Sequence, residues 1–179
     1  IQLYDAVFTD LKLKGATIKI NNRKVLAAIA ERIGAQDKLI DFTVALDKLD
    51  KIGIEKVKEE MLSKGISSDG IALLTPLLKI SGDFKAQLKA LSSLFRTSQI
   101  GMEGLSELEF IADKINDLGL QSTTLKLDIT LARGLNYYTG AIFEVSAPDA
   151  VAMGSIGGGG RYDDLTSIFG LKGLSGVGI

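Results

Sequence analysis

The sequence contains no cysteine, no histidine and no tryptophan, and its 179 residues include two prolines and four tyrosines. Without cysteine, the chain can form no disulfide, no zinc ribbon and no thiol nucleophile. Without histidine, it cannot supply the base of a serine-type catalytic site. Acid–base chemistry within this chain must therefore come from Asp, Glu, Lys or Tyr, or from a substrate.

Charge and hydropathy exclude further classes of protein. The formal net charge is −1, so no global basic field indicates a nucleic-acid partner, although this does not exclude a local basic patch. No apolar run approaches the roughly 20 residues of a membrane span, and the amino end lacks the basic start and cleavage site of a signal peptide. We therefore expect a cytoplasmic protein with no membrane partner.

Neither end of the chain has the features of a natural terminus. It begins at Ile1 without a methionine and stops in "GLSGVGI", an apolar, glycine-spaced run that is typical of an unfinished strand. We expect an internal fragment of a longer protein, so that other residues of any site lie outside it.

Hydrophobic periodicity predicts an α+β fold in which a large all-α unit interrupts a β-containing core. A helix over 2–13 and a strand over 16–20 open the chain, and "NN" at 21–22 supplies a cap for the next helix. From about 35 to 118 the apolar residues recur at helical spacing, and strand patterns return only after that region. The predicted division is a core piece at 1–21, a helical insertion at 22–122 and a second core piece at 123–179.

The helical region carries a charged segment, "LDKLDK", at 46–51. Opposite charges three and four residues apart are typical of a solvated helix face. The alternative is a surface for a polyanion built on Lys48, Lys51, Lys56 and Lys58. Glutamates interleave with these lysines, which favours the first interpretation.

Four consecutive glycines lie in "SIGGGGRYDDL", residues 155–165. The segment is not a P-loop, since no Lys-Ser/Thr follows the glycines, and it lacks the dinucleotide-binding spacing. Two interpretations stay open. The glycines allow close approach of a ligand to bare backbone N–H groups, or they form a bulge or hairpin packed under a helix.

The second candidate segment is "LDITLARGLNYYTGAIFEV", residues 127–145. "TTLKLDIT" and "AIFEVSA" alternate as strands, and we predict that they are antiparallel neighbours joined through "ARGLNYYTG". Arg133 offers a fixed fork of donors that suits phosphate or carboxylate. Tyr137 and Tyr138 would point to opposite faces of an extended strand, one supporting the sheet and the other lining a pocket. A surface arginine stacked on a tyrosine is the alternative.

Taken together, the two segments predict a site for an anionic or polar small molecule on an antiparallel sheet.

These segments resemble two signatures of a known family. "LARGLNYYTGAIFEV" resembles the first histidine-specific signature of histidyl-tRNA synthetases, R-G-L-D-Y-Y-T/N followed by a strand with F-E, and "GGGGRYDDL" resembles the second, G-G-R-Y-D-x-L. "IKINNRKVL" and "ALDKLDKIG" are similar to upstream segments of that family, so the resemblance covers essentially the whole chain. Asn136 stands where the family commonly has Asp, and Asp164 where it often has Gly.

The resemblance implies a partial class II synthetase antiparallel sheet with a large all-α insertion domain, taken from an enzyme that activates histidine with ATP and charges its tRNA. It implies that Arg133 is the catalytic arginine, which contacts the α-phosphate of ATP and the carboxylate of histidine. Tyr137 and Tyr138 would line the histidine pocket, with Tyr138 against the imidazole. The other residues implied to bind histidine or its adenylate are Gly134, Gly158, Gly159, Gly160, Arg161 and Tyr162.

The resemblance also implies partners. These are histidine, ATP and the tRNA for histidine, the last contacted by the insertion domain, in a protein that forms a homodimer. Magnesium is implied as the companion of ATP, but no metal ligands are identifiable in this sequence. Because the dimer-forming first motif, the ATP-binding second and third motifs and the anticodon-binding domain are not in the sequence, the isolated chain is expected to be inactive.

Two other hypotheses stay open. One is a synthetase-like regulatory subunit of the histidine-biosynthetic ATP phosphoribosyltransferase, which keeps the fold and can bind histidine but charges no tRNA. Such paralogues usually lack a comparable insertion and degrade the Arg–Tyr–Tyr signature, and this chain has both intact. The other is a helical tRNA-contact module with incomplete core pieces attached.

Overall fold

The computed structural model describes residues 1–133 and 137–179, in which two groups of strands are separated by a run of helices. This arrangement confirms the predicted fold class. The helices are α1 (Gln2–Asp10), α2 (Arg23–Arg32), α3 (Leu39–Leu46), α4 (Leu49–Ser63), α5 (Ser68–Leu77), α6 (Phe84–Leu94), α7 (Gln99–Leu118) and α8 (Leu165–Ile168), with a 3₁₀ turn at Gln36–Lys38. The strands are β1 (Ala16–Asn22), β2 (Thr123–Leu127), β3 (Ala141–Ser146), β4 (Ser155–Tyr162) and β5 (Gly176–Gly178).

The five strands form one sheet in the order β2-β1-β3-β4-β5. The β1–β3, β3–β4 and β4–β5 pairs are antiparallel, whereas β1 and β2 are parallel. The prediction that β2 and β3 are antiparallel neighbours was wrong, because β1 lies between them. Alternation of polar and apolar residues identifies a strand and its two faces, but it carries no information about which strand pairs with it.

Side-chain caps start several of the helices, one of them at the position that the sequence predicts. The Asn22 side chain accepts a hydrogen bond from the Lys24 N–H at 2.9 Å, as expected from "NN" at 21–22. Ser67, Asp83 and Ser98 cap α5, α6 and α7 in the same way.

The charged segment at 46–51 takes part in ion pairs within the helical region. Lys48 Nζ lies 2.6 Å from Glu60 Oε1, and Lys58 pairs with Glu55 three residues before it at 3.0 Å. The Lys58–Glu55 pair has the spacing of three residues that the sequence favours, whereas the Lys48–Glu60 pair joins residues twelve positions apart, which the local spacing of charges does not predict.

One hydrophobic core runs from the sheet into the helices. Ile18 and Ile20 of β1 are buried, and α7 packs against α2, β1 and β3. Both α2 and α7 lie inside the predicted insertion yet pack with core elements, so the boundaries at 22 and 122 stay a prediction. No helix in the described ranges is long and apolar enough to cross a membrane.

A buried carboxylate attaches α1 to the start of β2. Asp5, which is 4% exposed, accepts hydrogen bonds from the backbone N–H groups of Gln121, Ser122 and Thr123 at 2.9–3.0 Å and from the Thr123 hydroxyl at 2.7 Å. Burial by itself raises the pKa of the Asp5 carboxyl, but these hydrogen bonds outweigh it and the pKa lies below its ordinary value. The ionised carboxylate therefore fixes α1 against the sheet.

We expect Asp5→Asn to lower the free energy of unfolding by about 1–3 kcal/mol. The amide places an N–H₂ donor opposite backbone N–H donors and leaves a buried group without an acceptor. Urea unfolding followed by circular dichroism measures the change. Asp10→Asn, at the exposed end of the same helix, is the control and should change the free energy by less than about 0.5 kcal/mol. Equal stability of the two variants would contradict this role of Asp5.

Candidate active site

The two faces of the sheet have different surroundings. Side chains alternate along β4, so Gly158 and Gly160 point to one face and Gly157 and Gly159 to the other. The face of Gly157 and Gly159 is covered by Tyr4 of α1 and by Phe143, whose rings lie 6.0 Å apart in an edge-on arrangement. The opposite face carries the candidate site.

The glycines of β4 are required by close packing on both faces. A Cβ on Gly160 would lie 2.7 Å from Tyr138 Cδ1 and 3.0 Å from the Ala141 carbonyl oxygen. A Cβ on Gly157 would lie 2.6 Å from the Tyr4 ring. The Gly158 N–H donates to the Tyr4 hydroxyl at 3.2 Å. The glycine run is thus a strand with aromatic rings packed directly on its backbone, which supports the packing interpretation, and its binding of a ligand stays a prediction.

Three of the four tyrosines, Tyr137, Tyr138 and Tyr162, form one cluster on the site face. The Tyr137 and Tyr138 ring centroids lie 4.5 Å apart, their hydroxyls are 3.5 Å apart, and Tyr162 meets Tyr137 edge-on at 6.1 Å. The condition under which Tyr137 and Tyr138 would point to opposite faces, an extended strand at these residues, is not met. The backbone there lies outside the strands, with a turn at Tyr137, so the alternation of an extended strand does not apply.

The cluster raises the pKa of the Tyr138 phenol, which is neutral at physiological pH as any ordinary tyrosine is. Burial raises the pKa of Tyr138 to about 12, helped by its hydrogen bond to Tyr137 and by the nearby phenol groups of Tyr137 and Tyr162. A neutral phenol can donate one hydrogen bond and accept others, so Tyr138 suits a polar ligand that has an aromatic body.

Arg133 lies in the connection between β2 and β3 and reaches the sheet through an ion pair. Its Nη1 contacts Glu144 Oε2 of β3, and the two side chains are 49% and 15% exposed, respectively. The segment that leads to Arg133 is held by Asn21, whose side-chain amide donates to the carbonyls of Ile129 and Leu131 at 3.1 and 2.9 Å.

Lys19 extends the charged network on this face. It stands opposite Glu144 in the register of β1 and β3. Its Nζ lies 3.3 Å from Asp128 Oδ2 and 3.7 Å from Asp50 Oδ2. Burial lowers the pKa of Lys19, but Asp128, Asp50 and Glu144 outweigh this and the pKa lies above its ordinary value.

Two clefts meet at the Arg133–Glu144 pair. One, of about 150 Å³, is lined by Arg133, Tyr138, Phe143, Glu144 and Gly157–Gly159. The other, of about 280 Å³, extends towards the start of α4 and includes Lys19 and Asp128. The smaller cleft brings together an arginine, a tyrosine and the glycine strand, as the sequence predicts. Pockets for drug-sized ligands measure about 300–1,000 Å³, so the smaller cleft, at about 150 Å³, suits a smaller group.

Arg161 has a different environment from the other predicted residues. Because it alternates with Gly160, its side chain leaves the strand on the face opposite Tyr138. Its Nε donates to Asp163 Oδ1 at 3.0 Å and its Nη2 to the Ser175 hydroxyl at 3.2 Å.

Asp163 connects three parts of the site. It accepts hydrogen bonds from the hydroxyls of Ser175 and Thr139, both at 2.5 Å, and from Arg161. These donors lower the pKa of Asp163 to about 2. The carboxylate thereby links the segment after Tyr138, the end of β4 and the segment before β5.

Sequence reasoning assigned no role to Glu144, Tyr4 or Asp163. Glu144 could have been noticed as the one charged residue in the strand pattern "AIFEVS", and Asp163 as part of the second family signature, "GGGGRYDDL". Tyr4 gives no signal, since its contact with the glycines joins residues about 150 positions apart.

The predicted binding residue Gly134, and Asn136, lie outside the described residues. In the ranges that the structure describes, no group of three or more Asp or Glu side chains is placed to hold a metal ion.

The geometry defines a class of site, in which an arginine lies beside a cluster of tyrosines on one face of a mostly antiparallel sheet. The whole chain, residues 1–179, matches the family model for histidyl-tRNA synthetase. It is 66% identical to the histidine–tRNA ligase of Flavobacterium johnsoniae over all of this chain and 38% of that protein. The chain belongs to the histidyl-tRNA synthetase family. It spans about 38% of the length of that relative.

Solved structures agree with this assignment. The histidyl-tRNA synthetase of Nostoc sp. PCC 7120 matches with a TM-score of 0.91 and 32% identity, over 98% of this chain and 42% of that chain. A Bacillus halodurans protein described as an ATP phosphoribosyltransferase regulatory subunit/histidyl-tRNA synthetase matches with a TM-score of 0.78 and 22% identity, over 97% of this chain and 44% of that chain. That second likeness shows a shared fold alone.

We expect Gly160→Ala to lower the free energy of unfolding by about 1–3 kcal/mol, because the added methyl group must displace the Tyr138 ring. The near-ultraviolet circular dichroism of the tyrosines should weaken at the same time. Gly154→Ala is the matched control, since a Cβ there meets nothing within 4 Å. If the two variants unfold alike with unchanged tyrosine spectra, the packing of Tyr138 on the glycine strand is not what constrains residue 160.

We expect Asp163→Asn to lower the melting temperature by about 3 °C near pH 7. This corresponds to roughly 1 kcal/mol for a chain of this size, a low value because the carboxylate is 39% exposed. The folded pKa of about 2 lies below the ordinary value of 3.8, so the charged carboxylate stabilises the fold fully above about pH 4. That stabilisation is lost as the pH falls through 2.

Thermal unfolding of both proteins between pH 2 and 7 measures this difference. The gap in melting temperature should be constant above about pH 4 and shrink towards pH 2. Asp149→Asn, at an exposed position, should show no such gap. A gap that is the same at pH 2 and pH 6 would show that ionisation of Asp163 does not contribute.

Proposed function

We propose that the protein to which this chain belongs is a histidine–tRNA ligase, a class II aminoacyl-tRNA synthetase. It would activate histidine with ATP to histidyl-adenylate and transfer it to the 3′ end of its tRNA. The observation that carries the proposal is the cleft in which Arg133, Tyr138 and the glycine strand meet. The 66% identity to a curated histidine–tRNA ligase supports it.

Arg133 would act on the charge that develops during activation. When the histidine carboxylate attacks the α-phosphorus of ATP, negative charge builds on the non-bridging phosphate oxygens. A guanidinium group keeps its charge at every working pH and offers several donors in a plane, so it can stabilise that charge without proton transfer. One terminal nitrogen contacts Glu144, which leaves the other donors of the fork for the substrate.

The tyrosines would recognise the imidazole of the substrate. The neutral Tyr138 phenol, with its pKa raised to about 12 by burial, can share a hydrogen bond with a ring nitrogen. The Tyr137 ring packs against the Tyr138 ring, and Tyr162 in turn meets Tyr137 edge-on. Gly158 lines the cleft beside it, so a flat ligand can approach the backbone closely there, while Gly160 lies under the Tyr138 ring and supports it. The further roles proposed for Gly134 and Arg161, as residues around the adenylate, follow from the family signatures.

The remaining partners are proposals of the same kind. They are ATP, the tRNA for histidine contacted through the helical region, and a second copy of the protein in a homodimer in the cytoplasm. Magnesium, the expected companion of ATP, finds no cluster of carboxylate ligands in the described part of the chain. We propose that the 179-residue chain by itself is inactive.

The regulatory-subunit hypothesis receives less support. The Bacillus halodurans protein whose description includes that role matches at 22% identity, against 66% for the histidine–tRNA ligase of Flavobacterium johnsoniae. The Arg–Tyr–Tyr signature is intact in the sequence, and Arg133 and Tyr138 share one cleft.

We expect Arg133→Ala in the complete protein to reduce histidine-dependent ATP–pyrophosphate exchange by at least about 100-fold, because it removes a charge that acts in the transition state. Circular dichroism should show an unchanged fold. Arg96→Ala is the matched control, since Arg96 is exposed after α6 and away from the cleft. Near-normal exchange in Arg133→Ala would rule out the role proposed for this arginine.

A further inference from the structure

Glu144 is a carboxylate in the middle of a strand that is otherwise apolar or small. Its side chain is 15% exposed, while Ile142 and Val145 beside it are buried. A carboxylate that is largely withdrawn from water is costly unless cations or hydrogen-bond donors compensate it. The Glu144 carboxylate therefore needs a nearby cation or hydrogen-bond donor, whereas the apolar side chains beside it do not.

Two cations meet this requirement. Arg133 contacts the carboxylate directly, and Lys19 stands in register with Glu144 on the adjacent strand β1. The Lys19 ammonium is held by Asp128 at 3.3 Å and Asp50 at 3.7 Å. Lys19 thus contributes positive charge near Glu144 while its closest contacts are other carboxylates, and Arg133 makes the direct ion pair.

The orientation of Arg133 depends on two anchors. Asn21 fixes the backbone that leads to it by hydrogen bonds to the carbonyls of Ile129 and Leu131. Arg133 itself lies outside the helices and strands, and its side chain is half exposed. The far end of that side chain is held by Glu144, which is fixed by strand pairing on both sides.

The position of the ion pair connects it to the chemistry. Arg133 and Glu144 both line the cleft that holds Tyr138 and the glycine strand. A fork of donors stabilises a transition state only when it is held in the right orientation, and a misplacement of about 1 Å can cost about 100-fold in rate.

We propose that Glu144 is a positioning residue for Arg133, holding its guanidinium towards the phosphoryl group during activation of histidine. This inference rests on the proposed function. Glu144 does not touch the reacting atoms. Its effect passes through Arg133, so its removal should act on the rate of activation more than on substrate binding.

The test is histidine-dependent pyrophosphate exchange by the complete protein, with kcat and both KM values measured. Glu144→Gln keeps the size of the side chain and removes its charge, and we expect kcat to fall about 10- to 100-fold with KM values changed less than about threefold. Glu144→Asp retains the charge and should recover much of the loss. Glu60→Gln is the matched control, since Glu60 is a 22% exposed carboxylate in an ion pair with Lys48 on the helical region.

A double-mutant cycle separates positioning from a structural effect. In an Arg133→Lys background, which lacks the planar fork, we expect Glu144→Gln to lower kcat less than about threefold further. A loss of the same size in both backgrounds would show that Glu144 acts independently of Arg133 and would overturn the inference. If Glu144→Gln does not fold, Glu144→Asp is measured in the same two backgrounds. A partial loss of kcat with Arg133 that disappears with Arg133→Lys supports the inference, and an equal loss in both backgrounds overturns it.

The outcomes distinguish this inference from the proposed function. Wild-type protein that shows no exchange contradicts the proposed function and, with it, the role of Glu144. Active wild-type protein with a Glu144→Gln variant that exchanges within about twofold of it contradicts the inference alone.

Discussion

The pairing of β1 with β2 on one side and β3 on the other is the interaction on which the rest of the structure depends. It joins strands that are separated in sequence by about a hundred residues of helix and turn. The side chains of β1 alternate between the two faces of the sheet. Ile18 and Ile20 enter the core, while Lys19 lies on the face of the site. The last two residues of the strand, Asn21 and Asn22, then hold the segment before Arg133 and the start of α2.

This arrangement lets segments that are distant in sequence form one side of a site. Asn21 of β1 holds the backbone before Arg133. Strand β3 carries Glu144, whose carboxylate contacts the Arg133 side chain. The glycine strand β4 lies next to β3 and supplies the surface for Tyr138. Each contribution is local, but only the order of the strands brings them together. A long helical region can therefore stand between β1 and β2 without changing the geometry of the cleft, provided that β1 pairs with β3.

Much of this could be predicted from the sequence, and the failures have a common cause. Periodicity and capping residues predicted the helices and strands, since these signals are local. The neighbour of β2 was predicted wrongly because strand pairing is a non-local choice that alternation does not encode. The same limit applies to Tyr4, whose packing on Gly157 joins the two ends of the chain. The sequence also left open whether the backbone at Tyr137 and Tyr138 is extended, and the structure has a turn at Tyr137.

The Arg133–Glu144 pair shows how such a site differs from the core. An ion pair with one half-exposed member adds little net stability, because solvent screens the arginine and desolvation of the carboxylate offsets the attraction. Replacement of a desolvated ion pair by apolar residues of similar volume is often neutral or stabilising. The pair is therefore poorly explained as a stabilising element. It is well explained as a device that holds a permanent charge at the edge of a cleft, where an anion can reach the remaining donors of the fork.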